Sequence, residues 1–240
     1  MEPFGREGDG YSVVEEHDSD AGVYVFRMNL LREPPLIQWS LVIGDCLHNI
    51  RSALDHLFWA LVLLKHPTGS PQGATHAMFP IYRDVNTFKG KKYQIEEWVG
   101  QDITAMLERM QPFASKLDPH PLLFIHENNI EDKHKLLIPV LGAVRSAQTL
   151  IKTKPGSSPP EFKVTQGPNA LVNGAELGRL IVKSPESVVD VYYSPSVRVC
   201  LERKAVMFEV VPTLGKLIKD VEKTTDFLAD SLATQPRLPS

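Results

Sequence analysis

A block of polar residues interrupts a stretch that otherwise has the pattern of an apolar helix. When residues 43–57 are placed on a helix at about 100° per residue, seven polar side chains share one side. In angular order they are Arg51, Asp55, His48, Ser52, Asp45, His56 and Asn49. A solvated face would carry mainly Lys, Glu and Gln and would continue to the helix ends. Here the turns above and below are apolar on the same side, which predicts that the block is enclosed or lies on the floor of a cleft.

A second polar cluster follows later, in a segment that begins near Pro121. It includes His126, Asn128, Asn129, Glu131, Asp132, Lys133 and His134. Charged groups taken out of water must find partners or change their pKa. If the two segments pack against each other, Asp132, Lys133 and His134 would join the first block in a single site.

Arg51 and His56 have the spacing Arg-x4-His. On a helix these side chains lie about 140° apart, so they would flank a pocket. This motif resembles that of the HEPN superfamily, helical bundles in which Arg-x4-His can form a metal-independent ribonuclease site, commonly across a dimer interface. The position after the arginine, often Asn, Asp or His in that family, is Ser52 here. The stretch from Gly44 to His56, with the later Asp132-Lys-His134, is also similar to a widespread group of bacterial proteins without an assigned function.

The HEPN resemblance implies that an RNA 2′-hydroxyl attacks the neighbouring phosphate. His56 would act as general base or acid, and Arg51 would hold the phosphate. Asp55 or Asn49 would orient the imidazole. The resemblance implies catalytic roles for Arg51, His56, Asp55 and His134, and substrate contacts from Asn49, Ser52 and Lys133.

Two alternatives stay open. The first is a metal-binding hydrolase, because bundle proteins build metal sites from side chains on facing helices. Its ligands would come from Asp45, His48, Asn49, Ser52 and His56, with Asp132 and His134 opposite, although Arg51 and Lys133 would repel a cation. The second is a non-catalytic interaction module. In that module Asp45, Arg51, Asp55, Asp132 and Lys133 would form a structural ion network that fixes how two helices pair.

Length and composition narrow the class of protein. With 240 residues, 42% of them hydrophobic and 23% charged, the chain is long enough for one domain with a sizeable core. Its net charge of −3 argues against a large non-specific DNA-binding surface but leaves room for a small phosphate pocket. We expect no cofactor, because the sequence contains neither a glycine-rich phosphate loop nor a Cys-x2-Cys pair.

The cysteines and the lengths of the apolar stretches predict the cellular location. Cys46 and Cys200 are far apart in the sequence and are interpreted as reduced core residues. We find no apolar stretch of about 18 residues and no secretion signal, so we expect no membrane association. The predicted protein is cytoplasmic and homodimeric, with RNA or a nucleotide as its partner.

Hydrophobic periodicity and turn residues predict an α+β fold, since strands do not alternate with helices. The prediction is a single domain, 1–240, with a helical-bundle core of three to four helices. An N-terminal β-hairpin precedes the core, and a small antiparallel β insertion precedes the last helix. Helix one begins at Pro34-Pro35 and runs to about Lys65, with a bend at Gly44; helix two covers 95–115, and helix three runs from Pro121 to about Ile138. The segments are the hairpin 11–30, the helical core 34–150, the β insertion 160–210 and the C-terminal helix 212–233.

Overall fold

A computed structural model describes residues 10–69, 71–135, 137, 139–157, 161–166, 170–203 and 206–233. The chain forms two compact units. Unit 1 comprises Met1–Trp39 and Ile138–Val210, and unit 2 comprises Ser40–Leu137 and Val211–Ser240. The helices are α1 (Leu36–Lys65), α2 (Val85–Val99), α3 (Gln101–Arg109), α4 (Pro121–His134) and α5 (Val210–Ala233). The strands are β1 (Tyr11–Asp18), β2 (Val23–Leu30), β3 (Pro139–Thr153), β4 (Phe162–Gln166), β5 (Ala170–Leu171), β6 (Glu176–Val182), β7 (Val188–Arg203) and β8 (Val206–Glu209).

Unit 1 contains two antiparallel sheets, with the strand orders β1-β2-β6-β4 and β5-β3-β7-β8. The predicted N-terminal hairpin is present as β1 and β2. Its turn is held by Asp18, whose Oδ1 accepts hydrogen bonds from the backbone N–H groups of Asp20 and Ala21 at 3.1 and 3.0 Å. Gly22 completes the turn at φ +63°, a conformation that glycine adopts at little cost.

The two sheets bury their inner faces against each other. Along β6 the side chains alternate, since Leu180 is fully buried and Ile181 is 40% exposed. Tyr193 of β7 stacks on Phe26 of β2 with ring centroids 4.4 Å apart, and its hydroxyl donates to the Leu177 carbonyl at 3.0 Å. These contacts join one sheet to the other, so the strands form a β-sandwich core.

Unit 2 is helical, and local sequence signals account for where its helices begin. Helix α1 follows Pro34-Pro35, and α4 has Pro121 in its first turn, where the missing N–H of proline costs nothing. The Asp84 carboxylate caps α2 by accepting from the N–H groups of Asn86 and Thr87 at 3.0 and 2.9 Å. Gly100, at φ +88°, ends α2 and precedes α3.

Four expectations about the elements need correction. The β insertion is not a separate β unit, because its strand β6 pairs with β2 and so joins the N-terminal hairpin in one sheet. The helical core was expected to extend over 34–150, but its last residues, from Pro139 onward, belong to the long strand β3. The single helix expected over 95–115 is divided by Gly100 into α2 and α3, and α4 ends at His134 rather than near residue 138.

Strand β7 is continuous over 16 residues, Val188–Arg203, although it contains a proline. Pro195 lies within it opposite Ala147, where the pairing with β3 shifts register. Such an irregularity accommodates a proline that donates no hydrogen bond.

Among the described residues, no helix is both long enough and apolar enough to cross a membrane.

We expect Leu180→Ala to lower the free energy of unfolding of unit 1 by about 2–5 kcal/mol, because it opens a cavity between the sheets. Ile181→Ala, one residue further on the outer face, should cost less than about 1 kcal/mol. Chemical denaturation of both variants measures the difference. Equal losses would contradict the assignment of the inner face.

Candidate functional site

Helices α1 and α4 pair in an antiparallel arrangement within unit 2. The Ser40 hydroxyl donates to the backbone carbonyl of Leu137, just beyond α4. Two turns further along α1, His48 Nδ1 lies 3.4 Å from Asn129 Oδ1. Residue numbers therefore rise along α1 while their partners descend along α4, and residues spaced by three or four on α1 face α4.

Gly44 permits a close approach between α1 and α4. A Cβ atom at this position would lie 2.5 Å from both carboxylate oxygens of Asp132. Helix α1 continues through this position from Leu36 to Lys65, and the missing side chain makes room for a carboxylate.

Arg51 and Asp55 hold the backbone of a loop residue. Arg51 Nη2 donates to the Phe79 carbonyl at 2.8 Å and lies 2.8 Å from Asp55 Oδ1. The same carboxylate oxygen accepts the Phe79 N–H at 2.8 Å. The ion pair thus satisfies the backbone donor and acceptor of one residue, and we call this arrangement the Phe79 clamp. Charge-assisted hydrogen bonds of this kind are stronger than neutral ones.

A buried glutamine fixes the next turn of the same loop. Gln111 Nε2 donates to the Pro80 carbonyl at 2.9 Å, and its Oε1 accepts the N–H of Tyr82 at 2.9 Å. The loop from Phe79 to Tyr82 is therefore held at both ends by side chains of unit 2.

One nitrogen of the Arg51 guanidinium, Nη1, has no hydrogen-bond partner among the described residues. Arg51 is only 4% exposed. Burial lowers the pKa of Arg51, while Asp55 acts to raise it. Because the ordinary pKa of arginine is so high, the guanidinium stays charged. A buried, charged donor without a partner is costly in free energy, and an anion that reached this nitrogen would supply the missing acceptor.

His126 of α4 is half-buried and experiences the charges of both Arg51 and Asp55. Its pKa is lowered, first by burial and then by the charges of Arg51 and Lys133, with Asp55 opposing them. The imidazole is therefore neutral at pH 7 and can accept a proton. It experiences two cations and one anion, so the local electrostatic balance is positive.

The residues predicted from sequence separate into two groups. The side of α1 that faces α4 carries Arg51, Asp55 and His48. On α4, Asp132 faces Gly44 of α1, and the exposed Lys133 is near enough to His126 to lower its pKa. Asp45, Asn49 and His56 are exposed on another side of α1, and Ser52 is half-buried. The side chain of His134 lies outside the described part of the structure.

Arg51 is the only member of the polar block that is buried, so the block as a whole is not enclosed. The turns above and below are covered in part: Trp39 and Val62 are buried, whereas Leu41 and Leu63 are 57% and 45% exposed. Sequence reasoning placed His126 in the second cluster without giving it a role, and it missed Phe79 and Gln111. Which turn of α4 faces Arg51 depends on the antiparallel register, which helical periodicity alone does not provide.

Among the side chains that the structure describes, no three His, Cys, Asp or Glu residues gather as metal ligands.

We compared the chain with protein-family models, with curated proteins and with solved structures, and found no match in any of the three.

We expect Gly44→Ala to destabilise unit 2 by about 1–3 kcal/mol, because the methyl group must displace the Asp132 carboxylate. This cost exceeds the gain of about 0.5–1 kcal/mol that alanine gives in a helix. In an Asp132→Ala background the same change should stabilise the protein. Chemical denaturation of the four variants in a double-mutant cycle measures the coupling. A cost that is unchanged without Asp132 would contradict the close contact.

Proposed function

We propose that unit 2 binds a phosphate ester of RNA or of a nucleotide between Arg51 and His126, and that it cleaves RNA there without a metal ion. The observation that carries this proposal is the buried, unpartnered Nη1 of Arg51 beside a half-buried neutral histidine. A phosphate oxygen would supply the acceptor that this nitrogen lacks. His126 is half-buried, so part of its imidazole is open to a ligand from solvent.

The chemistry follows from the two side chains. Arg51, held by Asp55 and the Phe79 carbonyl, is oriented before a ligand arrives, so little reorganisation is needed when charge develops on the phosphate. Neutral His126 would take the proton of the 2′-hydroxyl as this oxygen attacks phosphorus. The 5′-oxygen leaves and receives a proton from solvent.

This proposal changes the partner of Arg51 from the one implied by the HEPN resemblance. His56 is exposed and lies about 140° around α1 from Arg51, whereas His126 is close enough for Arg51 to lower its pKa. We therefore assign the general base to His126 and leave the Arg51–His56 pair as the competing hypothesis. The homodimer and the cytoplasmic location stay predictions, the latter consistent with two free cysteines.

A second candidate is the non-catalytic interaction module, and the Phe79 clamp favours it. Arg51 and Asp55 satisfy each other and one backbone residue, as members of a structural network do. Under this hypothesis Arg51→Met would destabilise the protein, and no histidine variant would change an activity.

The test compares two histidine variants, His126→Gln and His56→Gln. A short fluorescent RNA would be incubated with each variant in EDTA, and inorganic phosphate and AMP would be titrated into each while the imidazole NMR signals are followed. We expect His126→Gln to lose cleavage by roughly 100-fold or more and to weaken phosphate binding, because a positioned base contributes that much. His56→Gln should keep both.

Loss of cleavage with His56→Gln alone would overturn the assignment in favour of the Arg51–His56 pair. If the parent protein neither binds phosphate nor cleaves RNA, the non-catalytic interaction module is the remaining hypothesis. Cleavage that EDTA abolishes would contradict the metal-independent mechanism.

A further inference from the structure

A groove runs between α1 and α5 on a different side of unit 2 from the Phe79 clamp. Its volume is about 760 Å³. Its apolar lining includes Ile50 and Ala53 of α1 and Ile218 and Val221 of α5. Ala53 is exposed, and its small side chain helps to leave the groove open.

The charged residues of the groove carry one sign. Among the residues described in unit 2, those that line it with a charge are Glu222 and Asp226, both acidic and both exposed. The basic neighbours on α5, Lys219 and Lys223, are turned about 100° and 140° away from Ile218 and do not line it. An apolar floor therefore lies beside an acidic rim.

We propose that this groove binds an amphipathic helix of a partner protein, with apolar residues facing the floor and lysines or arginines facing Glu222 and Asp226. Apolar grooves between helices bind such segments through side chains at i, i+3 or i+4, and i+7. The lining residues of α5 extend from Leu214 to Asp226, about 18 Å along the helix, or three turns. This inference is independent of the phosphate site.

Charge complementarity favours a cationic partner over a second copy of this chain. A two-fold axis through the groove would bring the same surface of both copies together. Glu222 and Asp226 would then approach their own counterparts, and like charges facing each other oppose association. A cationic helix meets the same rim with attraction.

The test uses a synthetic, fluorescein-labelled 18-residue helix with leucines on one face and lysines beside them, and a second peptide with glutamates in place of the lysines. Anisotropy titrations against the full chain should give saturable binding of the lysine peptide only. Glu222→Lys combined with Asp226→Lys should weaken it by roughly tenfold or more, since reversing two rim charges replaces attraction by repulsion.

Matched controls separate the groove from the overall negative charge of the protein. Glu97→Lys with Asp230→Lys makes the same change in net charge at exposed acidic residues outside the lining, and it should change binding by less than roughly twofold. Ala53→Phe should block the groove, whereas Ala60→Phe, exposed two turns away on α1, should not.

Several results would overturn the proposal. One is equal weakening by the two double variants, and another is equal binding of the two peptides. A third is binding unaffected by Ala53→Phe. Self-association of the free chain that Ala53→Phe prevents would show that a second copy is the occupant, and failure of the lysine peptide to bind would also count against the proposal.

Discussion

The arrangement of the candidate site depends on one buried guanidinium. Arg51 is almost completely removed from water, so its charge must be compensated by partners within the protein. Asp55, one turn further on the same helix, provides the opposite charge, and the Phe79 carbonyl provides a second acceptor. Because Asp55 also accepts the Phe79 N–H, the helix and the loop are fixed to each other. The loop can leave this position only by exposing a buried ion pair.

The charges around His126 do not cancel, because two cations and one anion act on it. Asp55 neutralises one cation, but His126 also experiences Lys133, and burial of the imidazole disfavours a further positive charge there. The histidine is kept neutral by its surroundings, and one nitrogen of the arginine is kept without a partner. A structural network that was complete would have satisfied that nitrogen, which is why we favour a ligand over a purely structural role.

Local signals in the sequence predicted the elements that depend on local chemistry. Pro34-Pro35 and Pro121 correctly marked the beginnings of α1 and α4, and the turn residues at 18–22 marked the hairpin. Strand β3 was missed because its pattern is weak and its main partner, β7, is nearly fifty residues away. The pairing that stabilises a strand of this kind is tertiary, so periodicity within the segment does not reveal it.

The residues of the candidate site could be grouped only in part from the sequence, because their final neighbours depend on tertiary packing. Helical periodicity grouped Arg51 with Asp55 and His48, and the second cluster was recognised as its partner. Periodicity also grouped them with His56 and Asn49, which lie on the same broad polar side of α1 but do not face α4. The antiparallel register of α1 and α4, which includes the contact between Gly44 and Asp132, decides that His126 lies beside Arg51.

Amide hydrogen exchange at Phe79, compared between the parent protein and Asp55→Ala, measures directly whether the Arg51–Asp55 pair holds this loop. If the clamp holds the loop, the Phe79 N–H is protected in the parent and exchanges much faster in the variant. The N–H groups of Asn86 and Thr87, capped independently by Asp84, should keep their rates and so show that the unit remains folded. A Phe79 amide that stays equally protected without Asp55 would contradict the account.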